Sequence, residues 1–469
     1  MSAKIWIAAK KQPLPESNDH PHKSRVGNME MHVDTFSVEH TGCDVCLEEN
    51  NLSKCEHIDE NLHREHLAKA NSSFTQSVIN MSGMLIGLGQ LSTPYGLENG
   101  GWISIFLLVG LGVICAYSTC LLGKCLEKSP RSRSYIDIGQ QAFGTKGKVL
   151  AAIFVYTEIF MGLVSYTISL HDNLDTVFTG ITVEIPHIHL PKSQLLTVIA
   201  VLVALPSLWL RNLSSISFLS IGGILMSLLI FITVASTAIF GVVKANHTIP
   251  IMHLNKISHV SGLYIFSYAG HVVFPTLYKG MKDPSQYKKA AIVSFTTVMS
   301  LYTTLAFIGA KMFGPSVNSQ ITLSMPRDLI ITKIALWATV LTPMTKYALQ
   351  FAPFAIQLEH NLPSSMKSTT KMIIRASIGS ILLLTILALA LSVPYFQYVL
   401  SLTGSLVSIT ICVIFPSIFY TKICLSEVSK PLLSLNIVII AIGVILSVLG
   451  TISSLKSLIK IIETATRPG

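Results

Sequence analysis

From Thr75 onward the chain alternates long apolar runs with short polar loops. A helix of about 20 apolar residues crosses a bilayer. The runs predict eleven spans, at about 75–97, 101–122, 149–170, 193–210, 215–243, 259–279, 290–312, 329–357, 373–392, 395–420 and 432–455. Glu98, Asn99 and Gly100 read as the tight hairpin between the first two spans, and Val393-Pro394 divides the charge-free stretch 376–421. Residues 135–143 read as a short amphipathic helix on the membrane surface. Residues 1–70 are polar, show no sustained period and predict a disordered cytoplasmic tail, with 71–469 as the transmembrane domain.

Two predicted spans are poor helices. Span 1 carries Gly83, Gly87, Gly89 and Pro94, and span 6 carries Gly270, His271 and Pro275. Gly is too free for a helix interior, and Pro lacks the N–H. In lipid, a broken backbone survives only where it is buried in protein or lines a cavity. Interrupted spans at matching positions of two halves point to a transporter's central site. Five spans per half give opposite topology, so the pattern predicts an inverted repeat of spans 1–5 and 6–10, with span 11 added.

Composition agrees with the pattern. Half of the 469 residues are hydrophobic and 12% are charged, against roughly 25% in soluble domains. Residues 1–70 hold 12 of the 24 acids and 8 of the 34 bases, so a basic body follows an acidic tail. The bases concentrate in the loops after spans 2, 4, 6, 8 and 10. They therefore mark cytoplasmic loops rather than a nucleic-acid surface, with the N-terminus cytoplasmic. Lys456, Lys460 and Arg467 at the far end depart mildly from that rule. Asn246-His247-Thr248 is a glycosylation sequon in a far-side loop. Residues 5–9 are too short for a secretory signal.

The tail holds His40, Cys43, Cys46, Cys55 and His57. Cys43-x-x-Cys46 has the spacing of half a zinc site, and Cys55-x-His57 would complete it; a reduced tail with incidental cysteines is the alternative. Cys115, Cys120, Cys125, Cys412 and Cys424 read as small apolar residues of the spans. No GxSxG, HExxH or GxxxxGK[ST] pattern occurs, so the sequence predicts neither an enzyme nor a cofactor.

A broken helix exposes unpaired N–H groups at the N-terminus of its second half, which attract an anion. The span 1 donors would be the amides around Gly87, Leu88 and Gly89, with Ser82 and Gly83 also counted in the substrate-binding segment. Carbonyls and side chains of Ser267, Tyr268, Ala269 and Gly270 would suit an ammonium. A small zwitterion meets both requirements. Buried ionisable groups are costly and mark function. Glu158, His271 and Lys346 qualify as proton-coupling groups. Each has a plainer reading: a neutral acid bonded to a neighbouring helix, a satisfied core histidine, and a fixed cation that pairs Glu158 or replaces a sodium ion.

SVINMSGMLIGLGQLSTPYG (77–96) resembles the first span of the amino acid/auxin permease family, and YIFSYAGHVVFPTLYKGMKDPSQY (264–287) resembles its sixth span and following loop. MPRDLIITKIALWATVLTPMTKYALQFAP (325–353) is similar to span 8 of the vacuolar amino acid transporter branch, which is related to the vesicular inhibitory amino acid transporter. SYIDIGQQAFG (134–144) matches the family's cytosolic helix. The resemblance covers roughly 71–460. It implies an all-α, leucine-transporter-like fold of eleven spans, with substrate bound by broken segments of spans 1 and 6. It also implies proton-coupled transport of small neutral amino acids, as an antiporter in the vacuolar membrane. This chain departs from the branch at Ser165 and at Ser169-Leu170-His171, which leaves Glu158 as the single mid-span acid. A plasma-membrane importer, an amino acid sensor signalling through the tail, and a channel are the rival readings.

Overall fold

The computed structural model describes residues 71–179, 191–204, 213–361 and 366–466, all within the compact unit His66–Gly469. The predicted tail and its zinc cluster lie outside the described residues.

The first apolar run forms two helices, α1 (Phe74–Leu85) and α2 (Gly89–Gly100), separated by non-helical residues 86–88. Next come α3 (Ile103–Lys128), α4 (Tyr135–Val177), α5 (Lys192–Ala204) and α6 (Leu213–Ile239). The sixth run is again two helices, α7 (Leu254–Ser267) and α8 (Phe274–Gly280), separated by residues 268–273. Then follow α9 (Tyr287–Phe313), α10 (Ile330–Asn361), α11 (Ser368–Ser392), α12 (Phe396–Thr403), α13 (Phe415–Ile423) and α14 (Lys430–Thr466). Among the described residues seven helical stretches are long and apolar enough to cross a membrane: α3, α4, α6, α9, α11, Phe396–Ile423 and α14. No strand forms among them, and the protein is a helical, multi-pass membrane protein.

The local chemistry explains several element ends. Ser73 caps α1 by accepting from the Gln76 amide. Pro94 sits inside α2 and cannot donate to the Gln90 carbonyl four residues back. The Thr93 hydroxyl donates to that carbonyl instead, at 3.0 Å. Residues 98–100 are the last turn of α2 rather than a hairpin loop. The chain reverses one residue later, at Gly101, whose φ of 74° only glycine adopts cheaply. Ser134 and Asp137 close a capping box at the start of α4. The predicted surface helix is the first part of α4, cut from the rest by a kink at Phe143 and Gly144. Its Tyr135 is buried, not superficial, and donates to the Ile411 carbonyl at 2.7 Å.

In the packing, α9 lies along α1, α2 and α3, while α10 lies against α4 and α6. Helix α7 packs on α2, α12 and α14. Phe396–Ile423 is the buried axis: 83% of its apolar window is inside the protein, against 17% for Lys430–Thr464. Between α12 and α13 the backbone is π-helical, at Gly404–Ser408 and Thr410–Ile414. Helix α1 is also tied to the end of α8. The Ser72 amide donates to Gly280 O and the Lys282 amide to Ser72 O, each at 3.0 Å, as one isolated parallel bridge.

The buried axis crosses α7 backbone to backbone, with Gly404 against Gly262. A Cβ on Gly404 would overlap the Gly262 carbonyl, whereas one on Gly110 of α3 meets nothing within 4 Å. Overpacking of this kind costs about 1–3 kcal/mol. Gly404→Ala is therefore expected to lower the melting temperature of the detergent-solubilised protein, and Gly110→Ala to leave it unchanged. Equal melting temperatures would contradict the close crossing.

Candidate functional site

The two helix interruptions meet. A Cβ on Gly89, at the start of α2, would collide with the Ser267 Cα at the end of α7. Only a glycine permits that approach. The last residue of α1 is Leu85 and the last of α7 is Ser267. Helix ends leave carbonyls without intrahelical partners. The buried Tyr302 hydroxyl of α9 lies between both, its one proton shared between Leu85 O at 2.7 Å and Ser267 O at 3.2 Å. Two residues earlier in α1, the Lys346 ammonium donates to Gly83 O at 2.9 Å. A cation at a helix C-terminus is stabilised by the helix dipole.

The meeting point borders a cavity of about 70 Å³, well above the roughly 10–15 Å³ that one water needs. Gly87, Leu88 and Gly89 form one wall, and Ser267, Ala269 and Gly270 an adjoining one. Glu158 and Gly162 of α4 also line it, with Tyr166, Gln350 of α10, Ile411 and Cys412. Helix α2 begins with tight turns, in which the Gln90 amide donates to Gly87 O at 3.3 Å and the Leu91 amide to Leu88 O at 3.0 Å. The amides just before these bonds lie at a positive helix end, suited to a carboxylate.

Glu158 and His271 both line this cavity. The Ser408 hydroxyl, from the π-helical stretch, donates to both Glu158 oxygens, at 2.9 and 3.0 Å. π-bulges often occur at functional sites. His271 is fully buried, and its Nε2 lies 3.0 Å from the hydroxyls of Ser118 and Thr119 and 3.1 Å from Cys115 O. Both hydroxyls spend their protons on backbone carbonyls. The imidazole proton is therefore on Nε2, the only donor available to that group of acceptors. Nδ1 then carries a lone pair, and it has no partner among the described residues.

Four predicted residues do not reach the cavity wall. Ser82 uses its carbonyl to accept from the Ile86 amide at the end of α1. Gly83 receives Lys346. The ring of Tyr268 turns away to pack on Phe295 and Tyr302. Lys346 is committed to the α1 carbonyl, while Glu158 is held by Ser408. The sequence reading missed Tyr302, Tyr166, Gln350 and Ser408. Single polar residues within otherwise apolar spans carried no periodic signal that would have flagged them.

A helical membrane protein with a small cavity between two helix interruptions, lined by a few polar groups, is built as a solute carrier. A family model of transmembrane amino acid transporter proteins matches residues 70–456, and the chain belongs to that family. It is a transporter, not an enzyme. It is 58% identical over 421 residues to the amino acid transporter AVT1H of Arabidopsis thaliana, covering 89% of this chain and 98% of that one. It is 36% identical over 394 residues to AVT1B of the same plant, covering 84% and 73%. Among solved structures, a Na+-coupled sialic acid symporter in its substrate-bound outward-open state is similar, with a TM-score of 0.50 at 14% identity. That match covers 81% of this chain and 87% of the symporter, and it shows a shared fold alone.

Tyr302→Phe keeps the ring and removes the hydroxyl that caps two helix ends. A buried carbonyl left without its partner costs about 1–3 kcal/mol, so amino acid uptake is expected to fall about tenfold or more. Uptake by proteoliposomes carrying equal amounts of folded protein measures it. Uptake at the original rate would remove Tyr302 from the site.

Proposed function

We propose that the protein is a proton-coupled carrier of small neutral amino acids, working as an antiporter across the vacuolar membrane. The observation that carries this reading is the cavity bounded by both helix interruptions, lined by Gly87, Leu88 and Gly89 from one and by Ser267, Ala269 and Gly270 from the other. The amides of Gly87, Leu88 and Gly89 take the substrate carboxylate, and the carbonyls of Ser267, Ala269 and Gly270 take its ammonium. The modest cavity volume favours small substrates.

In this reading α1 with α2 is one broken span, and α7 with α8 another. With α3, α4, α5, α6, α9, α10, α11, the α12–α13 stretch and α14 they make eleven, arranged as a leucine-transporter-like inverted repeat. The basic residues near the ends of α3, α8 and α13 support a cytoplasmic location for those ends and for the N-terminus. Residues 325–353, similar to the vacuolar branch, support the vacuolar membrane.

Coupling requires a group in the cavity that changes charge during the cycle. Glu158 is the first choice, since it faces the cavity and its partner is a hydroxyl rather than a cation. His271 is the second, through its free Nδ1. Lys346 acts as a fixed cation that holds α1.

Two outcomes are expected in proteoliposomes with a pH gradient set in either direction. Glu158→Gln should flatten the pH dependence of transport. An unchanged pH profile would move the proton to His271. Gly87→Leu should abolish uptake while the protein still reaches its membrane, because even a Cβ there comes within 3.1 Å of the Tyr166 hydroxyl. Normal uptake by that variant would remove Gly87 from the substrate site.

A further inference from the structure

If the two interruptions hold the carboxylate and ammonium, the substrate's side chain is left facing α4 and α10. This wall has a specific chemistry. Glu158, Gly162 and Tyr166 are spaced four residues apart on α4, so they share one face. Gly162 is the position on that face without a side chain, and Gln350 of α10 fills the space beside it. A Cβ on Gly162 would come within 3.1 Å of Gln350 Oε1 and 3.9 Å of Nε2. The Tyr166 hydroxyl is a hydrogen-bonding neighbour of the Gln350 side chain. Gln350 is thus placed from two sides, by a hydroxyl and by a gap in a helix face.

The remainder of this wall is mostly apolar, with Ile159, Ile411 and Phe266. Glu158 is already engaged on both oxygens by Ser408. A carboxamide offers two N–H donors and an oxygen with two lone pairs, more than the one bond to Tyr166 uses, and Gln350 is itself a lining residue of the cavity. A site that hydrogen-bonds a substrate group rejects the analogue that lacks it, because the site's own polar atoms are then left unpaired.

We propose that Gln350, seated in the space left by Gly162, reads the side chain of the transported amino acid and selects neutral side chains bearing a hydroxyl or amide over aliphatic ones of equal size. This rests on the reading of the cavity as the amino acid site. It goes further by assigning the side-chain subsite and the substrate class.

The test uses the purified full chain in proteoliposomes, with threonine and valine as a pair of equal shape. The readout is the ratio of their kcat/KM values, which is insensitive to a general loss of activity. The intact protein is expected to favour threonine by about tenfold or more. Gln350→Leu should bring the ratio close to one, and Gln350→Met does the same job if the leucine variant fails to fold. Gly162→Ala should lower the uptake of glutamine relative to glycine, because the added methyl pushes Gln350 into the cavity. A ratio near one in the intact protein, or one that Gln350→Leu leaves unchanged, overturns the proposal. The two readings fail differently. If folded protein moves no amino acid, glycine included, the site assignment itself falls. If glycine moves and Gly87→Leu stops it while the ratio ignores Gln350, only the specificity proposal falls.

Discussion

One buried hydroxyl holds the centre of this protein together. Tyr302 donates to the terminal carbonyls of α1 and α7, two helices that stop inside the bundle. An unsatisfied backbone group inside a membrane costs several kcal/mol, so each interruption needs such a partner. Sharing one hydroxyl forces the two ends to lie side by side, and Gly89 removes the side chain that would keep them apart. Lys346 adds a cation to the same end of α1. These contacts use one lone pair of each carbonyl, and residues of both interruptions line the cavity beside them.

The arrangement divides the labour of transport. In the proposed reading, backbone groups at the interruptions supply both poles of a dipolar site without a charged side chain. Such a site suits a zwitterion and tolerates variation in what the zwitterion carries. In the same reading, Glu158 of α4 and His271 between α7 and α8, both lining the cavity, are the groups proposed to change charge. The π-helical stretch places the Ser408 hydroxyl across from α4, where it meets both oxygens of Glu158. Lys346 does not join them: it lies off the cavity wall with its ammonium committed to Gly83.

The interruptions themselves were legible in the sequence, because Gly and Pro in an apolar run contradict a membrane helix. Gly87, Leu88, Gly89, Ser267, Ala269 and Gly270, read from that contradiction, line one cavity, as do Glu158 and His271. The partners were not legible. Tyr302 is one tyrosine in an apolar helix, and only its position 35 residues from Ser267 and 217 from Leu85 in the chain, yet touching both, gives it meaning. Gln350 and Gly162 are similarly unmarked until α4 and α10 pack. Residues 98–100 were misplaced because a polar triplet beside Gly resembles a loop, whereas the left-handed turn needs only Gly101. Tyr268 was credited with binding because it lies within the interruption, but its ring found aromatic partners.

The most direct test of the central claim is a structure of the full chain determined with alanine bound, by electron cryo-microscopy. The account predicts density between the amides of Gly87, Leu88 and Gly89 and the carbonyls of Ser267, Ala269 and Gly270, with the carboxylate toward the former. Density for the amino acid elsewhere in the protein, with this cavity empty, would contradict it.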